Sequence, residues 1–336
     1  SSPRLSRVLH DDGSTRIELS ALTLDWQPSA LLRGRLVIDR LAADALRVAT
    51  SPSDAPPTTP ASLELPLALQ ARVEVRRIEV GSYGAPASEA LTLGPLRLTV
   101  DSDGSAHRVG DLSLATPWGA LSGEAGLKGS APFPLQGRLA LKAEQYAVDA
   151  VLGGTLAERT DIALTAQGHG LSGSARVAAR PFAAQPLQSA ALALDAFDPH
   201  SLHPSAPAGR WTVKAELAPR GDTPTPLFGR VEARNAEPGG IDQGRAPVTS
   251  IAADIEAAPD AVDLRGLAIA LAGGGGIRGD VGWRRTGSLP LEALLTLHDI
   301  DTAALHRQGV RTRIGGKVAV QASDTRQQFE LALDDR

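Results

Sequence analysis

Two short clusters of acidic and imidazole side chains are the strongest candidates for chemistry in this sequence. Their members are Asp195, Asp198, His200 and His203 in the first cluster, and His298, Asp299, Asp301 and His306 in the second. Oxygen and imidazole ligands of this kind suit a divalent metal. However, the ungapped alignment of segments 192–203 and 295–306 matches Asp198 with Asp301 and His203 with His306, while the remaining acids and histidines change place. This pattern favours a repeated turn in which the Asp caps one helical turn, so we predict no metal site and no cofactor.

A glycine-rich segment suggests a dinucleotide site. Gly274-x-Gly276-x-x-Gly279 follows a strand-like run, and Asp299 lies about 20 residues further on. Such a motif must open a helix, yet Gly282 and Pro290 follow it closely, and we therefore predict a hairpin between two strands.

Nucleophilic catalysis has no better support. The sequence contains neither Gly-x-Ser-x-Gly nor Gly-Lys-Ser/Thr. His169 precedes Ser172, but the alternation of apolar and polar residues continues through both, which indicates an exposed loop histidine. We predict that the chain is not an enzyme.

Composition narrows the function further. The 336 residues include no Cys and no Met, 34 Gly and 24 Pro, and the net charge is −4. Lack of Cys excludes disulfides, thiol nucleophiles and Cys-based zinc sites, and a mildly acidic chain argues against a nucleic-acid binder. No apolar run of 18 residues is present, so neither a membrane span nor a signal peptide is predicted. A start at Ser1 without Met indicates a piece of a longer protein.

Period-2 alternation dominates the chain and predicts many short strands. In segment 15–26 this alternation has one slip, near Ala21 and Leu22. Asp12-Gly13 and Asp103-Gly104 lie between strand-like runs and indicate hairpin turns. Helical periodicity is confined to short turns at 28–33, 199–202 and 302–306.

A repeated unit, apolar-x-Gly-x-small-x-apolar, organises these strands. It occurs at 121–127, 171–177, 277–283 and 314–320. Each copy reads as a strand with one apolar face and a Gly where it bends or approaches a neighbour closely. The spacing between copies is irregular, which favours meandering strands over a solenoid of fixed rungs. We therefore predict an all-β fold built on one long, repetitive, mostly antiparallel sheet.

The segment 22–48 resembles the early periplasmic part of the TamB family, within the AsmA-like group. The residues that carry the resemblance are Asp25, Trp26, Pro28, Leu31, Leu32, Gly34, Arg35, Leu36, Ile38, Leu41, Leu46, Arg47 and Val48. Later strands, including 132–141, are also similar to that family, although they mostly share its degenerate β pattern.

This resemblance implies a bridge-type lipid-transfer protein of the bacterial periplasm. Its long sheet would curl into an open β-taco groove with an apolar interior and conduct phospholipids between the inner and outer membranes. An N-terminal inner-membrane anchor and a C-terminal domain near a TamA-like outer-membrane barrel would lie outside this chain. The chain would then be one continuous groove segment: a hairpin, short helix and strand at 1–50, a Pro-rich loop at 51–61, and repeated strands at 62–336.

An apolar trough fits this role because it needs no reactive group. We predict that one face of each strand lines it. The predicted lining residues are Leu36, Ile38, Leu121, Ala125, Leu127, Leu139, Leu141, Leu171, Ala175, Val177, Leu192, Leu194, Ile277, Val281, Trp283, Leu295, Leu297, Ile314, Val318 and Val320. The opposite face carries Glu124, Lys128, Arg176, Arg278, Asp280 and Lys317, as in an antiparallel sheet with one face exposed to solvent.

Two alternatives remain open on sequence grounds. A sheet edge could pair with an unfolded strand during assembly or secretion of outer-membrane proteins. A purely structural repeat is the other alternative. We also expect the turn at 28–33 to close one end of the groove.

Overall fold

Alternating apolar and polar residues become strands along most of the chain. The computed structural model describes residues 4–13, 15–50, 58–82, 90–201, 203, 205–221, 225–285, 290–323 and 326–335. These residues form 21 strands of one sheet and two short helices. The prediction of an all-β, mostly antiparallel fold with one or two helical turns is confirmed.

The chain divides into two compact units, with Ser1–Ala163 and Arg180–Ala184 in unit 1, and Leu164–Ala179 and Gln185–Arg336 in unit 2. The prediction of one continuous groove segment stays a prediction. The elements up to residue 155 are β1 Arg4–Asp11, β2 Thr15–Trp26, α1 Pro28–Leu31, β3 Arg35–Thr50, β4 Ala68–Ser82, β5 Leu91–Leu93, β6 Leu96–Ser102, β7 Ala106–Thr116, β8 Gly119–Lys128, β9 Leu135–Lys142 and β10 Ala147–Thr155.

The remaining elements follow the same meandering order. They are β11 Arg159–Gly168, β12 Leu171–Ala179, β13 Leu187–Phe197, β14 Trp211–Pro219, β15 Leu227–Asn235, β16 Val248–Ala258, β17 Ala261–Leu271, β18 Gly276–Arg284, β19 Leu291–Ile300, α2 Thr302–Leu305, β20 Ile314–Ala322 and β21 Gln327–Asp335. From β12 to β21, each strand pairs antiparallel with the next.

One pairing departs from the antiparallel pattern. Strands β3 and β4 run parallel over their whole length, from Arg35 opposite Ala68 to Thr50 opposite Ser82. Parallel neighbours need a connection that returns to the starting end of the sheet. The predicted Pro-rich loop at 51–61 belongs to this connection; its residues 51–57 lie outside the described part of the chain.

The predicted hairpins are confirmed. β1 and β2 pair antiparallel across Asp12-Gly13, and β6 and β7 pair antiparallel across Asp103-Gly104. The glycine-rich segment before Gly276 is the turn between β17 and β18, where Leu271 N donates to Gly275 O at 2.8 Å. It opens no helix.

The helical turns occur at the predicted places. α1 begins at Pro28, which supplies a fixed φ and needs no partner for a missing N–H. α2 is capped by Asp301, and a 3₁₀ turn covers Pro199–Ser201. A further 3₁₀ turn at Ile241–Gln243 was not predicted. Within the described residues, neither helix has the length or apolar character needed to span a bilayer.

Four β-bulges keep the apolar residues on one face. The extra residue in each adopts a left-handed backbone: Asp111 (φ 48°), Ala196 (53°), Gly266 (58°) and Asp299 (48°). The apolar residues two before and one after the bulge then face the same way. These pairs are Val109/Leu112, Leu194/Phe197, Leu264/Leu267 and Leu297/Ile300. A bulge adds one residue to one strand only, so it resets the period-2 alternation without ending the strand.

The predicted slip near Ala21 has a similar cause. Ala21 has φ 52°, and Leu19 and Leu22 on either side of it join the same apolar cluster. This cluster also contains Val75 and Ile78 and is the buried core of β2–β4.

Candidate functional site

Apolar side chains of successive strands face one another in rows that cross unit 1. One row runs from β2 to β10 and is formed by Trp26, Ile38, Ala71, Val100, Val109, Ala125, Gly137 and Leu152. A second runs from β3 to β10 through Ala43, Val75, Leu96, Leu114, Leu121, Leu141 and Val148. Because strand neighbours lie about 4.8 Å apart, each row is a continuous apolar track at right angles to the strands.

Unit 2 has rows of the same kind between β12 and β21. The first contains Gly173, Leu194, Val213, Ala233, Ile251, Ile269, Ile277, Leu297, Gly316 and Leu333. The second contains Val177, Ala190, Leu217, Gly229, Ile255, Leu264, Val281, Ala293, Val320 and Phe329. Between them, Leu267, Gly279, Leu295, Val318 and Leu331 form a third row from β17 to β21.

The residues predicted to line the groove fall on these rows or on their flanks. In unit 1, Leu36 shares a row with Leu127, Ile38 with Ala125, and Leu121 with Leu141, while Leu139 pairs with Gly123 and Ala150. In unit 2, Ala175 and Leu192 face each other in a further row that continues through Ala215, Val231 and Ala253. The flanking residues are Leu171 at the start of β12, Trp283 opposite Val262 and Leu291, and Ile314 opposite Ile300.

Nearly all of these side chains are half-buried. Only Trp283, at 41% exposure, counts as exposed, and none is fully buried. A closed core would bury such residues, and a fully wetted face would carry polar ones. The rows are therefore apolar surfaces that are partly covered and still reachable.

Glycines in the repeated unit stand opposite leucines. Gly123 pairs with Leu139, Gly173 with Leu194, and Gly279 with Leu295. A Cβ on Gly173 would lie 2.6 Å from Leu194 Cδ2, and one on Gly123 would lie 2.8 Å from Leu139 Cδ2. At Gly279 an added Cβ would instead overlap the Leu294 carbonyl oxygen of β19. The predicted close approach at these glycines is therefore confirmed.

The opposite face is charged and exposed to solvent. The six residues predicted to lie there, Glu124, Lys128, Arg176, Arg278, Asp280 and Lys317, are all exposed. Ion pairs cross its strands, including Arg47–Glu79 at 2.7 Å and Arg108–Glu124 at 2.6 Å. Arg230 donates to Glu232 and Asp254, and its hydrogen bond and charge hold the pKa of Glu232 below its ordinary value.

One row of unit 1 contains polar residues. Between Leu69 and Leu127 the row passes through Ser102 and His107, whose Oγ and Nδ1 lie 2.7 Å apart. The other ring nitrogen of His107 contacts the Leu63 carbonyl oxygen at 2.9 Å. This arrangement ties the segment before β4 to the β6–β7 hairpin, so the imidazole has both nitrogens engaged in structural contacts.

That segment lies across the ends of two hairpins. Leu63 N donates to Gly129 O and Leu65 N donates to Gly104 O, both at 2.8 Å. By contrast, α1 contains no buried residue, and Leu32 beside it is 91% exposed. The prediction that α1 closes one end stays a prediction.

A cleft with a volume of about 730 Å³ lies in unit 1 over β7–β10. Ala125, Leu127, Leu135 and Leu152 of the apolar rows line it, together with charged residues such as Arg138. It thus lies at the apolar rows and contains several of the predicted lining residues.

Two of the acids first considered for metal binding, Asp198 and Asp301, serve as turn caps. Asp198 accepts hydrogen bonds from His200 N and Gly209 N, both at 3.1 Å. Asp301 accepts from Ala303 N at 3.0 Å and Thr312 N at 3.2 Å. Leu202 of this repeat lies outside the described residues. In the part of the chain that the structure describes, no group of three or more His, Cys, Asp or Glu side chains is placed to hold a metal ion.

Sequence reasoning missed many members of the rows, among them Val109, Val213, Ile251 and Ile269. Their strands alternate as clearly as the predicted ones, so the same period-2 signal identifies them. What the sequence does not supply is the register that places them opposite one another.

Comparison with known proteins adds no identification, since no family model, curated protein or solved structure matches this chain.

Proposed function

We propose that this chain conducts phospholipid acyl chains along its apolar rows, as a non-enzymatic bridge between two membranes. The supporting observation is that the rows continue over many strands in each unit, and that most of their side chains stay half-buried while a few, such as Val75 and Ala233, are buried. A lipid tail could therefore be shielded at every position without being trapped in a closed cavity.

The energetics of transfer favour such a surface. Exposing an acyl chain to water costs about 0.8 kcal/mol per CH₂. A two-chain phospholipid carries roughly 30 such groups, so an aqueous crossing costs on the order of 20 kcal/mol. An apolar track removes most of this barrier by keeping the tails against Leu, Val and Ala side chains, while the headgroup stays in water.

The resemblance of segment 22–48 to the TamB family supplies the biological setting of the proposal. In that setting the chain lies in the periplasm, and the full-length protein is anchored to the inner membrane and works with a TamA-like partner in the outer membrane. Fractionation of a bacterium that carries the tagged full-length protein tests this location.

Native mass spectrometry of the purified chain tests lipid binding. We expect co-purified phospholipid, and we expect Ala125→Asp and Ala175→Asp to remove most of it by placing a charge on the rows. Ala120→Asp and Ala193→Asp are matched controls because these alanines are exposed on the same strand or on its neighbour. A lipid-free wild type, or equal loss in both pairs of variants with the fold intact, would falsify the proposal.

Lipid transfer is measured separately with vesicles. Fluorescent phospholipid in donor vesicles should reach acceptor vesicles faster when the wild-type chain is present, and the Ala175→Asp variant should lose this acceleration. The Ala193→Asp variant should retain it.

Assembly of outer-membrane proteins is the second candidate function. In this role, strands of the sheet would pair with unfolded strands of the client protein by β-augmentation. Photocrosslinkers placed along these strands should then capture polypeptide; capture of lipid alone would argue against this role.

A further inference from the structure

The cleft over β7–β10 combines apolar and charged residues. Its apolar lining belongs to the rows of unit 1 and includes Ala125, Leu127, Leu135 and Leu152. Its charged side chains are those of Arg108, Lys128, Arg138 and Glu124. The cleft lies toward the strand ends that flank the connection from β8 to β9, so a ligand that extends over this end contacts both sets of residues.

The cations of the cleft are only partly neutralised. Glu124 accepts a hydrogen bond from Arg108 Nη2 at 2.6 Å, and it also stands opposite Arg138 in the register. Among the described residues, no acidic side chain lies within ion-pair distance of Arg138 or Lys128. A further acid, Asp101, stands opposite Arg108 but is not part of the lining. With three cations and one carboxylate, the lining is positive although the whole chain has a net charge of −4, which favours an anionic ligand.

Gly126 leaves space between these cations. On the charged face it stands between Arg108 of β7 and Gln136 of β9, and Lys128 lies two residues further along β8. A Cβ at Gly126 would meet no atom closer than 3.7 Å, the distance to Gln136 Cγ. Neighbouring strands lie about 4.8 Å apart, and residues i and i+2 of one strand lie about 7 Å apart. The long side chains of Arg108, Lys128 and Arg138 can therefore reach one phosphate-sized group beside Gly126.

The two kinds of lining indicate the class of ligand. A guanidinium group matches the geometry of a phosphate and binds it through two parallel hydrogen bonds, while an ammonium group adds a point charge. The apolar rows beside these cations match acyl chains. An amphiphile with an anionic phosphate end fits both parts of the cleft.

We propose that the β7–β10 cleft binds the headgroup end of an anionic phospholipid. The phosphate lies beside Gly126 and the acyl chains lie on the apolar rows. It contacts Arg108, Lys128 and Arg138, which prefer a headgroup with a net negative charge, such as phosphatidylglycerol, over zwitterionic phosphatidylethanolamine. This inference rests on the proposed function and adds a headgroup preference to it.

Competition between two lipids tests this preference. The whole chain is incubated with equal amounts of phosphatidylglycerol and phosphatidylethanolamine that carry identical acyl chains, and native mass spectrometry identifies the bound lipid. We expect at least about threefold more bound phosphatidylglycerol, since exposed ion pairs each contribute modestly to affinity. The ratio should fall at high salt, which screens exposed charges. Equal amounts of the two bound lipids at low salt would overturn the headgroup site.

Variants locate the preference at the cleft. Arg138→Gln and Lys128→Gln each remove one cation and should lower the ratio, and the double variant should bring it close to one. Lys142→Gln is the matched control, because it removes one exposed cation from the other end of β9, outside the cleft, and should leave the ratio unchanged. An unchanged ratio in the double variant, or an equal loss in Lys142→Gln, would contradict the proposed site.

Inorganic phosphate tests the source of the anion. Phosphate added at the same concentration as the lipids should leave bound phosphatidylglycerol in place, because it lacks the acyl chains that the apolar rows hold. Displacement of the lipid by phosphate would show that the cleft takes a free anion, and this would overturn the proposal.

The lipid competition also separates this inference from the proposed function. Equal binding of both lipids leaves lipid conduction in place and overturns the headgroup site alone. A chain that binds neither lipid contradicts both.

Discussion

Gly123 on β8 and Leu139 on β9 stand directly opposite each other, and the leucine side chain occupies the space in front of the glycine. A Cβ at Gly123, which has φ +156°, would overlap the Arg138 carbonyl oxygen and lie 2.8 Å from Leu139 Cδ2. The same relationship recurs at Gly173 and Leu194 in unit 2. A glycine at this position of the repeat thus allows the two backbones to approach closely without a steric clash in the apolar row.

Replacing this glycine should be costly. We expect Gly123→Ala to lower the free energy of unfolding by about 1–3 kcal/mol, because the new methyl group forces the β8 and β9 backbones apart. Urea denaturation measures the change. Gly153→Ala is the control, since a Cβ there meets nothing within 4 Å. Equal effects in the two variants would show that loss of glycine alone, and not the close approach, matters.

The bulge at Gly266 provides a purely conformational test. Gly266 has φ +58° and an added Cβ meets no atom within 4 Å, so only the backbone conformation resists substitution. Gly266→Ala should destabilise the chain by about 1 kcal/mol, and Gly266→Asn by less, because Asn tolerates the left-handed region better. Chemical denaturation with both variants checks this order; a more stable Ala variant would contradict it.

Acid should weaken the β6–β7 turn through Asp103. Hydrogen bonds from the backbone N–H groups of Ala106 and Ser105 lower the pKa of Asp103 in the folded chain. Since an unfolded Asp titrates near about 3.9, the contribution of Asp103 to stability is present above that pH and is lost as pH falls through the folded pKa.

Asp103→Asn should therefore flatten the dependence of stability on pH below about 4. Denaturation midpoints of both proteins across the acidic range measure this change, and an NMR titration of the Asp103 carboxyl gives its pKa directly. Superimposable acid profiles for the wild type and the variant would contradict the expectation.

The cap at Asp301 should matter to the loop between β19 and β20. Asp301→Ala removes the acceptor for Ala303 N and Thr312 N and should cost about 0.5–2 kcal/mol of unfolding free energy. Asp301→Asn should cost less because its side-chain oxygen can still accept. Faster exchange of the Ala303 and Thr312 amides in the Ala variant alone would identify the cap as the cause.

Local chemistry made much of this fold predictable. The Asp-Gly turns, the Pro at the start of α1 and the Asp cap of α2 depend on neighbouring residues, and the sequence shows them directly. The inward face of β8 or β12 follows from alternation alone. For this reason the predicted lining residues lie on the apolar rows of each unit or beside them.

Features that depend on distant partners were not predictable. The parallel pairing of β3 with β4 requires a choice between strands that no local signal makes. Asp111 and Ala196 adopt a positive φ at their bulges, which non-glycine residues rarely do, so the residue types there did not predict a bulge. Register across strands decides which alternating residues share a row, and it is set by the whole sheet.

The length of each apolar row depends on the number of strands that it crosses. Each antiparallel hairpin advances a row by two strand spacings, about 9.6 Å, and presents the same kind of side chain at the new position. Gain or loss of one hairpin in register would change the length of a row and leave its cross-section and lining unaltered. Duplication of hairpins can therefore lengthen such a sheet to span a given distance, without a new binding site at each step.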